Sequence, residues 1–335
     1  MKTFSLAQMP WKTRDPFLFC VHHLDRYPTG APDLGPTASL TGRDLGQDFS
    51  NREGWSMYHG RQIPGFPPHP HRGFETITVV RRGVIDHSDS LGATARFGDG
   101  DVQWMTAGRG IVHAEMFPLL NSADENVNDF FQIWLNLPAA DKMVEPHFKM
   151  LWSEEVPKIR ERDEAGREVV LTLSAGTYAE YTAPSPPPNS WASNPDAHIR
   201  IMVAKLGPGA RWVLPAAVSP KIDRNVYFFS GRSATVSGVT LNEKTGVELG
   251  DDRAIELVAD ESGAQFLIME GLPIAEPVAH YGPFVMNSQD ELAQAVRDYR
   301  NTQFGGWPWD TQEPVHERNA GRFAKHADGK IESRD

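Results

Sequence analysis

The sequence predicts an all-β protein with two β-rich domains of barrel or sandwich type and a short helix near its end. Three observations predict this fold. Turn-forming residues are abundant, since 29 of the 335 residues are glycine and 26 are proline. Short β-branched or apolar segments recur between these turns. The same alternation of short strand-like segments and turns recurs in the second half of the chain, which indicates a second domain of similar size.

The first predicted domain covers residues 1–150. Its turns are expected at residues 82–83, 98–101 and 108–110, where glycine follows or precedes polar residues. Pro138 closes its last strand, because proline lacks the backbone donor that a sheet requires. The strand candidates of this domain are residues 76–80, 84–87, 102–106 and 130–137.

The second predicted domain covers residues 151–310 and shows no close sequence repeat of the first. The proline-rich segment at 183–189 cannot form a central strand, so we expect a loop there. The strand candidates of this domain are residues 168–173, 199–205, 225–229, 234–239, 254–258 and 264–269.

A helix is predicted to follow the second run of strands. Ser288 is the expected N-cap, and Glu291 lies three residues later, at the position of a capping box. The apolar positions that fall on one face of this helix are Leu292, Val296 and Tyr299. Residues 311–335 are polar and poor in apolar side chains, so we expect a mobile tail.

Composition limits the class of function. Lys and Arg total 33 against 44 for Asp and Glu, giving a net charge of −11 that disfavours direct nucleic-acid binding. Cys20 is the single cysteine, which excludes an internal disulfide and a zinc–thiolate cluster. No apolar run is long enough to span a bilayer, and no secretory signal is evident at the N-terminus. The expected location is a reducing cytoplasm.

The candidate functional residues of the sequence are histidines and a glutamate in the first domain. His69 and His71 are two residues apart, and so are His113 and Glu115. On a β-strand such positions share a face and lie about 7 Å apart along the chain. Two side chains at that spacing can converge on one ion, because metal–nitrogen bonds are about 2.1 Å long. If the two strands are neighbours, the sequence predicts a site of three histidines and one carboxylate.

Spacing alone leaves two questions open. Glu75 follows His71 by four residues and has the same parity, so it competes with Glu115 as the fourth ligand. The alternative for Glu75 is a carboxylate that stabilises its surroundings. A nitrogen and oxygen ligand set suits Fe(II), Mn(II), Ni(II), Co(II), Cu(II) or Zn(II), and spacing does not choose among them.

These residues resemble the cupin superfamily and, within it, the pirin family. The first cupin motif, a histidine pair and a glutamate framed by glycines, is matched at residues 65–83. The second is matched at 100–113, with threonine at position 106 where proline is usual and with the histidine two residues later than in most cupins. That late histidine is the pirin form. The stretches similar to pirins are residues 66–76, 100–116 and 281–287.

The resemblance implies a bicupin, in which two barrels of the double-stranded β-helix or jelly-roll type face each other and only the first holds metal. It assigns the ligands, favours Glu115 over Glu75, and suggests one Fe(II) ion. The ligands that it implies are His69, His71, His113 and Glu115. The composition agrees in part, since residues 150–310 contain only two histidines, His198 and His280, which are far apart.

Two functions follow from the resemblance. Some bacterial pirins oxidise quercetin with dioxygen, which implies a small phenolic or flavonol substrate, ring cleavage and release of carbon monoxide. Glu115 would then be the catalytic base that takes the proton of the substrate hydroxyl. Eukaryotic members are iron-dependent cofactors of transcription regulators, so the alternative is a non-catalytic protein whose metal alters contacts with a protein partner. A third hypothesis is a cupin that acts on a different phenolic.

Overall fold

The computed structural model describes residues 1–250 and 252–334, and its contacts divide the chain into two compact units. Unit 1 comprises Met1–Val21, Ile133–Asn136 and Leu151–Ala275. Unit 2 comprises His22–Gln132, Leu137–Met150 and Glu276–Asp335, of which Asp335 lies outside the described residues. This division differs from the predicted bounds of 1–150 and 151–310, because both ends of the chain belong with segments that are distant in sequence.

The strands are numbered in chain order. The first are β1 (Lys2–Ser5), β2 (Phe17–Tyr27), β3 (Gly65–His71), β4 (Phe74–Arg82), β5 (Val84–Asp89), β6 (Thr94–Gly98), β7 (Val102–Thr106), β8 (Ile111–Met116), β9 (Asn126–Asn136) and β10 (His147–Leu151). The next are β11 (Lys158–Arg162), β12 (Glu168–Ala175), β13 (Thr177–Tyr178), β14 (Tyr181–Thr182), β15 (Arg200–Leu206), β16 (Arg211–Leu214), β17 (Asp223–Gly231) and β18 (Ser233–Val236).

The remaining strands precede or follow the helix along the chain. They are β19 (Val239–Asn242), β20 (Thr245–Leu249), β21 (Ile255–Ala259), β22 (Ala264–Gly271), β23 (Ala279–Tyr281), β24 (Phe284–Met286), β25 (Arg322–Lys325) and β26 (Ile331–Arg334). The helix is α1 (Gln289–Thr302). Short 3-10 turns occur at Arg52–Gly54, Trp191–Ser193, Pro195–Ala197 and Gln303–Gly305.

Unit 2 carries the histidines on one of its two larger sheets. That sheet has the strand order β26-β25-β6-β5-β8-β3. The other sheet has the order β10-β7-β4-β9-β2, and parts of β2 and β9 are assigned to unit 1. The strand pairs β3–β8, β4–β7, β5–β6 and β5–β8 of these sheets are antiparallel, as is typical of a β-sandwich or a jelly-roll barrel.

Strand β3 lies at an edge of its sheet, and its sequence explains why. It contains three prolines in Gly-Phe-Pro-Pro-His-Pro-His. Proline has no backbone N–H to donate to a sheet, so a strand rich in proline is confined to a sheet edge. Its register against β8 shifts between Phe66 and His69, which marks a bulge. Beyond the bulge, His69 lies directly opposite His113. The edge position and the bulge therefore determine which side chains of β3 face β8.

Unit 1 contains two sheets, and the apolar side chains of their strands form a large hydrophobic cluster. Their strand orders are β1-β20-β17-β22-β15-β12-β11 and β16-β21-β18-β19. Strand β12 shows the typical alternation, since Val169, Leu171 and Leu173 are buried whereas Val170 and Thr172 are partly exposed. This core is built from aliphatic and aromatic side chains, and it includes Phe228 and Phe266.

The helix begins where the sequence predicts. The Ser288 hydroxyl accepts a hydrogen bond from the Glu291 backbone N–H at 3.3 Å, and the Glu291 carboxylate accepts from the Asn287 backbone N–H at 3.0 Å. Leu292 is buried, and Val296 and Tyr299 pack against the same apolar cluster. The predicted cap and apolar face are confirmed.

The C-terminal segment differs from the mobile tail that was predicted for 311–335. Within the described residues, β25 pairs with β6 and β26 pairs with β25. The buried Arg96 guanidinium donates to the backbone carbonyls of His316 at 2.9 Å and Glu317 at 2.6 Å. The segment is polar because it lies on the protein surface, yet these hydrogen bonds attach it to unit 2.

The prediction of an all-β chain with a short C-terminal helix is confirmed. The proline-rich segment at 183–189 has no strand beyond Thr182, as expected. Among the described residues, no helix combines the length and the apolar character that a bilayer-spanning segment needs.

Candidate metal centre

Two neighbouring strands bring the predicted histidines together. Strands β3 and β8 are antiparallel, with His69 opposite His113 and His71 opposite Ile111. Since positions two apart share a face, His71 lies on the same face as His69, and Glu115 on the same face as His113. The pairing of β3 with β8 therefore brings the face with His69 and His71 next to the face with His113 and Glu115.

The three imidazoles are close enough to share one ion. One ring nitrogen from each of His69, His71 and His113 lies within 4.8 Å of the others. The ring centroids are 4.4 Å apart for His69 and His113 and 5.0 Å apart for His71 and His113. Three nitrogens bound to one ion at about 2.1 Å lie about 3.0–3.4 Å from one another, so ring shifts of about 1 Å would complete the coordination.

Burial keeps these imidazoles neutral. Burial lowers the pKa of His113 and of His71 well below the ordinary value, and the neighbouring histidines lower each further. For His69, burial lowers the pKa to about 4 although the bond to Pro67 opposes it. Neutral imidazole is the form that offers a lone pair to a metal, so the three residues are ready to bind at neutral pH.

Hydrogen bonding supports the same conclusion. Nδ1 of His69 lies 2.8 Å from the Pro67 carbonyl, which can only accept, so the proton is on Nδ1 and the lone pair is on Nε2. His113 is completely buried, and neither of its ring nitrogens has a hydrogen-bond partner among the described residues. A buried polar group without a partner is destabilising, which is explained if an ion is its partner. The donor set therefore fits a divalent transition ion.

Glu115 stands at the edge of this group. Its Oε2 is 4.0 Å from Nε2 of His113, and the side chain is buried. The Thr78 hydroxyl lies 2.9 Å from Oε1 of Glu115 and 2.7 Å from Oε1 of Gln132, and Nε2 of Gln132 lies 3.4 Å from Oε2 of Glu115. Burial raises the pKa of Glu115, whereas the Thr78 hydrogen bond lowers it. The carboxylate is thus oriented from two sides and is easier to protonate than an exposed one.

Glu75, the rival carboxylate, is placed elsewhere. Its Oε1 accepts hydrogen bonds from Nε1 of Trp104 at 3.1 Å and from the Thr106 hydroxyl at 2.7 Å. Thr78 faces Glu115 from β4, and Glu75 has the opposite parity on that strand. Glu75 therefore supports the pairing of β4 with β7, in line with the alternative considered from the sequence.

The structure adds His87, which sequence reasoning missed. It is fully buried on β5, opposite Glu115 in the ladder, and its ring centroid is 5.6 Å from that of His113. Its Nε2 lies 3.1 Å from the Asp89 carboxylate, and its ring stacks on Phe148. The spacing of His87 and Asp89 is again two residues, which is the signal that could have found them. Thr78 is buried on β4 and gave no comparable signal, whereas Gln132 is explained equally well by a half-buried strand.

Outside this cluster, the histidines of the predicted second domain form no site. His198 and His280 are both exposed. Among the described residues, the group that could hold a metal consists of His69, His71 and His113.

Comparison with known proteins identifies two family models in the chain. Residues 41–135 match the model described as Pirin, and residues 201–305 match the one described as Pirin C-terminal cupin domain. Human pirin is 34% identical over 257 residues, which is 74% of this chain and 80% of that protein. A Pseudomonas aeruginosa protein provisionally named quercetin 2,3-dioxygenase is 34% identical over 244 residues, with 73% and 80% covered.

The fold has a solved counterpart. The crystal structure of an Acinetobacter baumannii protein titled quercetin 2,3-dioxygenase superposes with a TM-score of 0.70 at 25% identity. The match covers 91% of this chain and 98% of that one. Together with the family models, it confirms the predicted pair of cupin barrels. The fold therefore has a precedent among solved structures.

Proposed function

The chain belongs to the pirin family, and from this membership we propose that it is a metal-dependent oxidoreductase that cleaves a flavonol such as quercetin with dioxygen. The observation that carries the proposal is the group of three neutral imidazoles with a buried carboxylate 4.0 Å from one of them. The overall reaction joins one flavonol and one dioxygen, opens the central ring and releases one carbon monoxide. The Pseudomonas and Acinetobacter relatives carry the name of this activity.

His69, His71, His113 and Glu115 would hold the ion, with Fe(II) as our first choice among the divalent transition metals. When bound, such an ion supplies Lewis acidity and one-electron chemistry toward dioxygen. The chain's own contribution begins with the imidazoles, which burial keeps unprotonated. The hydrogen bond from His69 Nδ1 to Pro67 fixes the orientation of that ring.

Glu115 is the proposed base. Its carboxylate accepts the proton of the flavonol 3-hydroxyl, which makes the substrate electron-rich enough to react with dioxygen. Thr78 and Gln132 hold the carboxylate in position before the substrate arrives. Because burial raises the pKa of Glu115, the carboxylate accepts a proton more readily than an exposed glutamate does.

Aromatic side chains beside the imidazoles suit a planar polyphenol. The Phe66 ring lies 6.2 Å from that of His69, and Tyr58 stacks on Phe66 at 5.2 Å. Phe117 packs edge-on against Phe66 at 6.1 Å. Pockets for such ligands are mainly apolar, with a few polar groups that set the orientation. This wall would position flat rings while it excludes water from the base.

The test is oxygen uptake by protein loaded anaerobically with one metal at a time. Elemental analysis gives the metal content, and an oxygen electrode with a carbon monoxide assay gives turnover. Quercetin should consume oxygen and release carbon monoxide in equal amounts, whereas luteolin, the analogue that lacks the 3-hydroxyl, should do neither. Full metal content without uptake on any flavonol would reject the enzyme proposal and favour a regulatory role through a protein partner.

A further inference from the structure

A further histidine of unit 2 offers a hydrogen-bond acceptor that the proposed reaction does not use. His59 is partly exposed, and its Nδ1 lies 2.8 Å from the Gly46 carbonyl. A carbonyl can only accept, so the proton is on Nδ1 and Nε2 carries a lone pair. Among the described residues, Nε2 of His59 has no hydrogen-bond partner. The unpaired polar atoms that are closed off by burial do not include this nitrogen, so it is open to solvent.

The aromatic wall of the proposed substrate site connects His59 to the imidazoles of the metal centre. The His59 ring contacts Phe66 edge-on at 5.6 Å, and Phe66 contacts His69 at 6.2 Å. Burial lowers the pKa of His69 most, and the nearby His59 lowers it further. Phe66 lies opposite Glu115 in the ladder of β3 and β8, so these two side chains share a face. A flat molecule that meets Glu115 with one edge can therefore extend along Phe66 toward His59.

Phe49 lies beside His59 and is an exposed aromatic residue on an anchored segment. Its side chain is 54% exposed, and its ring lies edge-on to His59 at 5.1 Å and to Tyr58 at 5.5 Å. The preceding residue, Asp48, pairs with Tyr58 through the backbone, and its carboxylate accepts from Arg43 at 2.8 Å. A ring on a fixed backbone loses little conformational entropy when a ligand covers it. Phe49 is therefore suited to cover an aromatic ring of a ligand.

This inference rests on the proposed function, because it concerns the same substrate. A flavonol that presents its 3-hydroxyl to Glu115 keeps its other phenolic hydroxyls at the far ends of a rigid, planar molecule. We propose that Nε2 of His59 accepts a hydrogen bond from one of these remote hydroxyls while Phe49 covers the ring that carries it. His59 and Phe49 then form a specificity subsite, which selects polyhydroxylated flavonols over 3-hydroxyflavone.

Binding without turnover tests the subsite apart from the reaction. Full-length protein loaded with Zn(II), which has no redox chemistry, is titrated anaerobically with kaempferol and with 3-hydroxyflavone, and tryptophan fluorescence is followed. Kaempferol should bind at least about fivefold more tightly, because it gains one neutral hydrogen bond. Equal affinities in the wild type would overturn the proposal. Failure of iron-loaded protein to consume oxygen would reject the reaction and leave a measured preference for kaempferol as evidence for the subsite.

Two variants of His59 separate recognition of the substrate from anchoring of the segment. The amide nitrogen of asparagine takes the place of Nδ1 and keeps the hydrogen bond to Gly46, whereas glutamine places its amide oxygen near the position of Nε2 and loses that bond. We expect His59→Asn to abolish the preference for kaempferol and His59→Gln to keep most of it. The reverse order would show that His59 only anchors the segment, and it would overturn the proposal.

Phe49 is tested by its effect on both flavonols. Phe49→Ala should weaken kaempferol and 3-hydroxyflavone by about fivefold each and leave their ratio unchanged, because the ring covers either molecule. Its urea midpoint of unfolding should match that of the wild type, since more than half of the side chain is exposed. Val218→Ala, which truncates another exposed apolar side chain in unit 1, is the control and should change neither affinity. Unchanged binding in Phe49→Ala would overturn the proposed subsite.

Discussion

At the scale of single residues, histidine and glutamate are expected to contribute differently to the metal centre. His69→Ala removes one of three converging nitrogens, whereas Glu115→Gln keeps the shape of the side chain and an acceptor for the Thr78 hydroxyl but loses the negative charge and the acceptor for Nε2 of Gln132. Both variants should lose turnover of quercetin by at least about 100-fold. Only His69→Ala should also lose most of its bound metal, which elemental analysis after gel filtration measures.

The contrast between these two variants is the informative part. A Glu115→Gln protein that retains metal but not activity supports the role of a base. If the glutamine variant turned over quercetin at the wild-type rate, Glu115 would be neither base nor essential ligand. His198→Ala, an exposed histidine in unit 1, is the matched control and should change neither quantity.

Thr78 is predicted to act through Glu115. Thr78→Val keeps the branched shape but removes the hydroxyl that lies 2.9 Å from the carboxylate. We expect kcat to fall about tenfold, with metal content and KM for quercetin nearly unchanged, because one orienting hydrogen bond is lost. Thr78→Ser, which restores the hydroxyl, should recover most of the rate. Equal losses in Val and Ser variants would mean that packing, not the hydrogen bond, is what matters.

Asp25 gives a prediction about pH. Burial raises the pKa of Asp25 to about 7, although hydrogen bonds from the Tyr58 hydroxyl and the Ser56 backbone N–H oppose the shift. An unfolded aspartate has a pKa of about 3.9, so the folded state binds the extra proton between these values. The free energy of unfolding should therefore decrease as pH rises from about 4 to 7.

The variant Asp25→Asn isolates this contribution. It cannot titrate, so its stability relative to the wild type should increase between pH 5 and pH 8. Urea unfolding of both proteins at the two pH values measures the change. A stability difference that stays constant over that range would show that Asp25 is already ionised in the folded protein.

At the scale of elements, the helix cap gives a local prediction. Ser288→Ala removes the acceptor for the Glu291 backbone N–H and should cost about 1 kcal/mol of helix stability. Hydrogen exchange of the α1 amides is the suitable measurement, because it reports local opening. Ser288→Asp keeps an acceptor and should exchange like the wild type. Unchanged protection in the alanine variant would mean that tertiary packing alone holds this end of α1.

The elements show how far local sequence reasoning reaches. The predicted strand at 76–80 lies inside β4, and the predicted helix start coincides with α1. Both depend on residues that are neighbours in sequence, namely β-branched side chains and a cap. The edge strand β3 was indicated only by the spacing of its histidines, because its three prolines argue against a strand. A strand with three prolines is possible because β3 has a neighbouring strand on one side only. This position at the sheet edge depends on the tertiary fold and cannot be predicted from the local sequence.

The candidate metal centre also combines features that are local in sequence with contacts between distant residues. The spacing within each histidine pair is local, so the shared faces were predictable from the sequence. The pairing of β3 with β8, which places His69 opposite His113, is a contact across more than forty residues, and family resemblance rather than spacing favoured Glu115. Thr78 was missed because threonine is common in strands for reasons unrelated to function, and Gln132 was set aside because a half-buried strand explains it.

At the scale of the whole molecule, the C-terminal segment provides a prediction about stability. Deleting residues 311–335 removes β25 from the edge of β6 and removes the carbonyls that Arg96 contacts. Hydrogen bonds to charged groups contribute about 1.5–3 kcal/mol each, so the truncated protein should unfold at a clearly lower urea concentration. Deleting only 327–335 spares both features and should have a much smaller effect.

The same segment shows why a mobile tail was expected. Arg96 forms a bidentate ion pair with Asp86, with both N–O distances at 2.7 Å, and its remaining donors reach backbone carbonyls more than two hundred residues later. Those carbonyls belong to a polar stretch, and backbone carbonyls are present in every residue, so the composition of the stretch does not predict the hydrogen bonds with Arg96. An unaltered unfolding midpoint after the larger deletion would restore the original prediction of an independent tail.

The division of unit 2 into distant segments has a consequence for biosynthesis. Its histidines leave the ribosome long before β25, which pairs with β6 in the same sheet. Folding of this unit therefore needs contacts between segments that are synthesised at different times, and long-range closure of this kind is slow. We expect the nascent polypeptide to remain without the proposed ion until β25 has emerged, so that metallation follows the folding of this sheet.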